Sequence, residues 1–442
     1  MTARLLSLWN RINASYWFWP ATFCVIAFCL SLVTIWLDRN GASDWLSANS
    51  ALVPARPGGA TTMLQVIAGS MIGVAATVFS ITIAAVAYAS GTYGPRLLTN
   101  FMEDRGNQLS LATFIGTFLY AIMILRVVRH ENEQATTLKG AMASDVPGFV
   151  PQLSLLTATG LMLVSIAVLV YFLNHIPSSI RINLVLEGIG RRLIEQVKDR
   201  FPREGGSAPK VDRPHGAEIS AGGTGYIEVI DFSGLEDFAR EHDAHIVLCQ
   251  EAGDFVHPHV PLARLCGAEA GEEEAEAVRD CFALSGLRTP QQDLRFLIDE
   301  LVEIALRALS PGINDPFTAM TAIHWLGAAT AEFGQRELHV SPNDVDKEDK
   351  TRVFPIHSDF ADYLATGFGA ARSAIASSRK ASLAAFDTLQ DCALTVRGKD
   401  RVETIAAEGD RLMEQAAAAL TGPDLAEVHA RHRDFRAAIK AR

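Results

Sequence analysis

The stretch MLQVIAGSMIGVAATVFSITIAAVAYASGTY, residues 63–93, contains no charged side chain. At about 1.5 Å of rise per residue it is about 46 Å long as a helix, against a hydrocarbon core of about 30 Å. Such a run crosses a bilayer with tilt or projects beyond it. Small residues recur along it every three or four positions: Gly69, Gly73, Ala76, Ser80, Ala84, Ala87 and Gly91. The bulkier Ile67, Met71, Val78, Phe79 and Ile83 point elsewhere around the helix. In lipid, a face of small residues lets another helix approach closely. The chain therefore reads as a membrane protein built partly around a helix suited to close contact.

Three further apolar runs flank this one. Arg4 and Arg11 precede Tyr16, Trp17, Phe18 and Trp19, and an apolar run follows to Leu37. Aromatic residues at headgroup level anchor a spanning helix. A signal peptide would have a shorter core and end at a small-residue cleavage site; this run ends in Trp36-Leu37-Asp38-Arg39 and reads as a retained span. The other runs cover 109–125, the shortest, and 153–173. With 17–37 and 63–90 they predict a transmembrane domain of four helices over residues 1–178. No Asp, Glu, Lys or Arg lies inside the four runs, which argues against proton-coupled transport and voltage sensing. A pore lined by hydroxyls, small residues and backbone passes the same test.

Charge divides the chain. Residues 1–203 hold 15 Lys/Arg and 10 Asp/Glu, whereas residues 204–442 hold 24 and 40. So acidic a region is repelled by anionic lipid and by nucleic acid, and no nucleic-acid partner is expected. With the N-terminus inside, the inner segments carry 10 Lys/Arg and the outer loops 5, which predicts cytoplasmic N- and C-termini. The six cysteines, Cys24, Cys29, Cys249, Cys266, Cys281 and Cys392, follow no CxxC or framework spacing and are expected as reduced thiols.

Residues 179–224 are expected as a connector. An amphipathic helix over 180–200 presents Ile182, Val185, Leu186, Ile189, Leu193 and Val197 on one face, and a Gly/Pro/Ser-rich linker covers 202–224. Residues 225–266 read as a small α/β unit, barrel- or sandwich-like, with strands at 225–232, 245–250 and from 255, and Ser233 capping a short helix. Residues 271–442 read as an α-helical cytoplasmic domain. Its first helix, 272–283, is acidic. The second, 291–309, carries Leu294, Leu297, Ile298, Leu301, Ile304, Ala305 and Ala308 on one face, with Arg295–Asp299 and Glu303–Arg307 as i,i+4 pairs on the other. SPGINDPFTA follows at 310–319. Pro311 and Gly312 stop one helix, Asp315 N-caps the next, and Pro316 takes its first position. The fold class expected is a membrane α-helical domain plus an α+β region, a small β-rich unit followed by a helical bundle.

The pieces VFSITIAAVAYAS, GPRLL, GYI with GDFV, and above all DLRFLIDELVEIALRALSPGINDPFTA resemble a widespread bacterial family of inner-membrane proteins classed only as a domain of unknown function. The resemblance covers nearly the whole chain, and SPGINDPFTA is its most specific part. It implies a multi-pass protein of the bacterial inner membrane with a cytoplasmic C-terminal region. It carries over no activity, ligand or catalytic residue.

Candidate chemistry is sparse. Ser310, Asn314 and Asp315 could hold a ligand or cation, but each residue from Ser310 to Pro316 has a turn or capping role, so a structural connector is expected. His242, His245, His257 and His259 could meet across a hairpin, yet no further ligand completes a metal pattern; solvent-facing histidines are expected. Glycines 222, 223 and 225 precede a strand rather than open a helix, and there is no Walker Lys and no GxSxG. Glu272, Glu273, Glu274 and Glu276 read as a solvated face. No enzyme, cofactor or metal is expected.

The stripe Gly69, Gly73, Thr77, Ser80, Ala84 and Gly91 reads either as packing within one protomer or as pore lining and subunit contact. Thr82, Tyr88 and Ser90 would add polar groups to a water-filled path. Thr113, Gly116, Thr117 and Tyr120 give the third helix a similar face. Two functions fit. One is an oligomeric channel or permeation protein for ions or small solutes, regulated by its cytoplasmic domain. The other is a membrane-anchored sensor or scaffold without a pore. The partners expected are the lipid bilayer, further copies of the chain and a small ligand or ion.

Overall fold

In a computed structural model, the described residues are 12–13, 15–41, 56–94, 104–129, 149–203, 216–268, 271–338, 352–356 and 358–442. They fall into two units, one made of the residues from 12–91 and 104–180, the other of those from 181 onward with 92–94.

The membrane unit consists of α1 (Phe18–Arg39), α2 (Pro57–Tyr93), α3 (Arg105–Leu125) and α4 (Gln152–Ser179), each long and apolar enough to cross a membrane. Trp17 and Trp36, near the two ends of α1, are both exposed, as residues of an aromatic belt are. The 37 residues of α2 make about 55 Å of helix. Fitting that into a core of about 30 Å would need a tilt of about 57°, beyond the usual range of up to about 40°. The helix therefore extends past the hydrocarbon.

The shortest apolar run is the hub of this unit. Helix α3 packs on both α1 and α4 and is the most buried of the four. Polar residues lower its hydropathy, and their partners are on neighbouring helices. The Tyr120 hydroxyl lies 2.9 Å from Thr34 Oγ1 and donates to the Ser154 carbonyl at 3.2 Å, and Thr117 Oγ1 lies 3.0 Å from Ser165 Oγ. Gly116, Thr117 and Tyr120 are all buried. Thr113, the fourth residue of the face expected to mirror the α2 stripe, is only partly buried and donates to its own helix at Leu109 O, 2.8 Å away.

Two carboxylates at span ends tie these helices together. Pro151, the N-cap of α4, has no side-chain acceptor. Asp38, from the end of α1, supplies one, accepting from Leu153 N–H at 3.0 Å, Ser154 N–H at 2.9 Å and the Ser154 hydroxyl at 2.7 Å. Asp104 caps α3 in the ordinary way, accepting from Gly106 N–H at 2.7 Å and Asn107 N–H at 3.3 Å. Its other oxygen lies 2.7 Å from His175 Nε2. Each carboxylate meets the partial positive charge and free N–H groups of a helix start.

The mixed unit begins with α5 (Ile182–Arg200). Two small sheets follow. The first has strands β1 (Ala217–Ser220), β5 (Pro261–Cys266), β3 (His245–Leu248) and β7 (Val353–Phe354) in that spatial order, antiparallel except for β3 with β7. The second has β4 (Phe255–Val256), β2 (Gly225–Ile230) and β6 (Phe282–Ser285) in order, all antiparallel. With α6 (Phe232–Glu241) and α7 (Glu272–Asp280) they share one core around Ile227, Ile230, Leu235, Ile246, Leu265, Val278 and Phe282.

The helical part comprises α8 (Leu294–Ala308), α9 (Pro316–Phe333), α10 (Phe360–Leu364), a π-helical turn at Ala365–Gly369, α11 (Ala370–Ala376), α12 (Arg379–Thr395), α13 (Lys399–Ala419) and α14 (Gly422–Ala441). Helix α9 packs on α5, α8 and α12. Gly190 of α5 lets the indole of Trp325 lie against the helix backbone, where any Cβ would overlap it.

Three local expectations change. Residues 217–220, expected in a linker, form β1: AEIS has a single strong apolar residue, Ile219, and is held by pairing with β5, which no local pattern reveals. The end of the expected acidic helix becomes β6, because FALS pairs with β2. Asp231, not Ser233, caps α6, its carboxylate accepting from Gly234 N–H at 3.0 Å.

Candidate functional site

Helix α2 has two faces. Leu64, Ile67, Ala68, Met71, Ala75, Val78 and Ala85 are buried in the core of the membrane unit. The stripe points away from them. Gly69, Gly73, Thr77, Ser80, Ala84 and Gly91 are all exposed, and a Cβ placed on Gly69, Gly73 or Gly91 would meet nothing within 4 Å. Among the described residues, the three glycines face open space. The Thr77 and Ser80 hydroxyls donate to the Gly73 and Ala76 carbonyls of their own helix at 3.0 and 2.9 Å. Thr82 is buried and bonds likewise to Val78.

In the turn at 310–319 the local bonding is internal. Asp315 accepts from Phe317 N–H at 3.1 Å, Thr318 N–H at 3.2 Å and the Thr318 hydroxyl at 2.6 Å. The Thr318 hydroxyl holds the Asp315 carboxyl below its ordinary pKa. Ser310 Oγ donates to Arg307 O at 2.6 Å, and Asn314 takes the left-handed conformation at φ 51°, which Asn tolerates better than most residues. Pro316 follows the cap at the first helical position. The four histidines do not converge. His257 and His259 meet edge to face, while His245 stacks on Phe354 and His242 on Phe238. Among the described residues no group of three His, Cys, Asp or Glu is placed to hold a metal.

The mixed unit also holds a cavity of about 340 Å³ that sequence reading did not find. It is lined by the end of α5 (Gln196, Asp199, Arg200, Phe201), by Ile230, Phe232 and Leu248, by loop residues Gln250, Glu251, Gln291 and Gln292, and by Ile356, Ser358 and Tyr363. Hydrogen bonds fix its walls. The Gln292 carboxamide acts as an extra strand partner for β2, accepting from Ile230 N–H at 2.9 Å and donating to Ile230 O at 3.1 Å. Arg200 Nη1 donates to Gln292 O at 2.7 Å, and Gln196 Nε2 to Pro290 O at 3.1 Å. Glu251 pairs with Arg295, and Ser358 Oγ bridges them, donating to Glu251 Oε1 at 3.1 Å. Arg295 is thus drawn to Glu251, while Asp299 takes Arg288 at 2.7 Å. Glu303 and Arg307 pair as i,i+4 residues at 3.4 Å.

Tyr363 is stacked on Phe333 with ring centroids 4.1 Å apart. Burial pushes its phenol pKa up, against the opposing charges of Arg200 and Arg295, so the hydroxyl stays a donor at neutral pH. The lining residues come from separate stretches between 196 and 363. The one local signal was Arg200-Phe201 at the end of an amphipathic helix.

The family model described as Predicted membrane protein (DUF2254) matches residues 13–391. An uncharacterized protein of Mycobacterium tuberculosis is 31% identical over 324 residues, covering 70% of this chain and 59% of the relative. An uncharacterized protein of Mycobacterium bovis is 30% identical over the same length and shares. The match thus spans about three-fifths of these relatives. No solved structure matches.

Proposed function

The chain belongs to this family of membrane proteins, and from that premise and the geometry of α2 we propose that it assembles into an oligomer forming a permeation path for ions or small solutes. The carrying observation is the outward face of α2, where Gly69, Gly73, Thr77, Ser80, Ala84 and Gly91 are exposed while Leu64, Ile67, Met71 and Val78 are buried. Such a face suits a second helix at close range. The bilayer is the inner membrane, both termini are cytoplasmic, and residues 179–442 form the regulatory region. The 10-to-5 asymmetry of Lys/Arg supports that orientation. Reporter fusions after residues 50, 100, 140 and 205 should read out, in, out, in.

The test of assembly is native mass measurement in nanodiscs, with conductance in planar bilayers. Gly73→Leu and Ser80→Leu should abolish assembly or current, whereas Ile72→Leu and Ile83→Leu, on exposed bulky positions, should be nearly silent. A strictly monomeric wild type refutes the proposal. An oligomer without current leaves the second reading, a membrane-anchored sensor without a pore, which the cavity of the mixed unit favours.

A further inference from the structure

Of the charged residues that line the cavity, Glu251 is paired, whereas Arg200 and Asp199 have no ion pair among the described residues. Arg295 is neutralised by Glu251, and the Arg288 guanidinium by Asp293 and Asp299. Arg200 donates one N–H to the Gln292 carbonyl and lies 5.7 Å from the centre of its own neighbour's ring, Phe201, with no carboxylate paired to it among the described residues. Its side chain is half-buried, whereas Asp199 is exposed and hence more strongly screened by water and salt. A guanidinium offers five N–H donors in a planar fork that matches a carboxylate. Around it stand Phe201, Phe232, Leu248, Ile356 and Tyr363, an apolar and largely aromatic wall, with the Gln250 carboxamide as a further polar group. The volume falls in the range of small-molecule sites, about 300–1,000 Å³.

We propose that this cavity binds a metabolite-sized organic monocarboxylate with a flat apolar body. The carboxylate sits on the free edge of Arg200, and the body lies against Phe201, Phe232 and Tyr363. The Tyr363 hydroxyl and the Gln250 carboxamide set its orientation. Four of the lining residues belong to the end of α5 and the residue after it, and α5 is the segment that follows the last membrane span in the chain. The site does not depend on α2 forming a pore, because binding is read without any current.

The test uses the full chain in detergent micelles, with calorimetry and thermal melting. The probes are benzoate, phenylpyruvate and indole-3-acetate, each beside its neutral amide. At least one acid should bind and raise the melting temperature, and its amide should bind on the order of ten-fold more weakly or worse, the scale of one charge-assisted contact. Arg200→Gln should weaken the acid by a similar factor. Arg200→Lys, which keeps the charge and loses the fork, should fall between. Because Arg200 also holds the Gln292 carbonyl, Ile356→Trp provides a second route: it fills the cavity from a loop and should remove binding while Arg200 stays in place. Amides binding as tightly as acids, full binding by Ile356→Trp, or no binding by any acid at millimolar concentration would each overturn the assignment.

Discussion

Replacing Asp38 by alanine tests whether the membrane unit is held by a cap lent from one helix to another. The change strips the acceptor from three donors, the Leu153 and Ser154 amides and the Ser154 hydroxyl. A hydrogen bond to a charged group contributes about 1.5–3 kcal/mol, and a lost N-cap typically costs about 1 kcal/mol. The three donors share one carboxylate, so these values do not add. Asp38 is only 6% exposed, so water replaces it poorly. The loss expected is about 2–4 kcal/mol. Asp38→Asn keeps an acceptor oxygen near the same place and should lose roughly half as much. Melting of the full chain in detergent should rank wild type above Asp38→Asn above Asp38→Ala. Amide exchange at residues 153 and 154 should quicken in the alanine variant. If Asp38→Ala melts with the wild type and those amides stay protected, the cap is not what orders α1 against α4.

In the mixed unit, Asp315→Ala should cost about 1 kcal/mol by removing an N-cap that makes three bonds, read as a lower melting temperature of the full chain. Asp315 has a folded pKa below its unfolded value, so its contribution is complete above the unfolded pKa and fades as pH falls through the folded one. The melting gap between wild type and Asp315→Asn should therefore close below about pH 4; a gap that persists in acid refutes the charged cap. Gly190→Ala should lower stability by about 1–3 kcal/mol through overpacking, because the new Cβ meets Trp325. Trp325→Ala in the same chain should absorb most of that added cost, and an additive double variant would refute the contact.

Sequence reading succeeded where the signal is local and repeated. Four apolar runs became four candidate spans, the Asp315-Pro316 cap starts α9, and the apolar face of α5 at Leu186, Ile189, Leu193 and Val197 is buried. It weakened where partners are distant. Residues 217–220 are a strand only because β5 lies beside them. The sequence marks α3 only as the shortest run, yet Thr117 and Tyr120 bond to Ser165, Thr34 and Ser154 and help make α3 the hub. Asp38 reads as the charged end of a span, and nothing nearby announces that it caps a helix more than a hundred residues on. The cavity is the extreme case. Gln196, Glu251, Gln292 and Tyr363 meet only after α5, both sheets and α10 are assembled.

The placement of glycine in α2 bears on what lies against it. Glycine in a helix interior is less favourable than alanine by about 1 kcal/mol in water. The buried face of α2 uses Leu64, Ile67, Met71 and Val78 with Ala68 and Ala75, and no glycine. Gly69, Gly73 and Gly91 all lie on the exposed face, and a Cβ on any of them would meet nothing within 4 Å among the described residues. Lipid alone gives no return for this, since a larger apolar side chain is as content in hydrocarbon as a small one. A second backbone at close range does, because only there does the missing Cβ add contacts. The double variant Gly69→Ala, Gly73→Ala separates these accounts. With lipid on that face it should raise the melting temperature slightly and leave the native mass unchanged. With another copy of the chain there, the same two methyl groups should hold the helices apart, so the individual protomer is no less stable while the oligomer dissociates at lower dilution. Native mass spectra taken across a dilution series decide it, and an unchanged dissociation midpoint would refute assembly through this face.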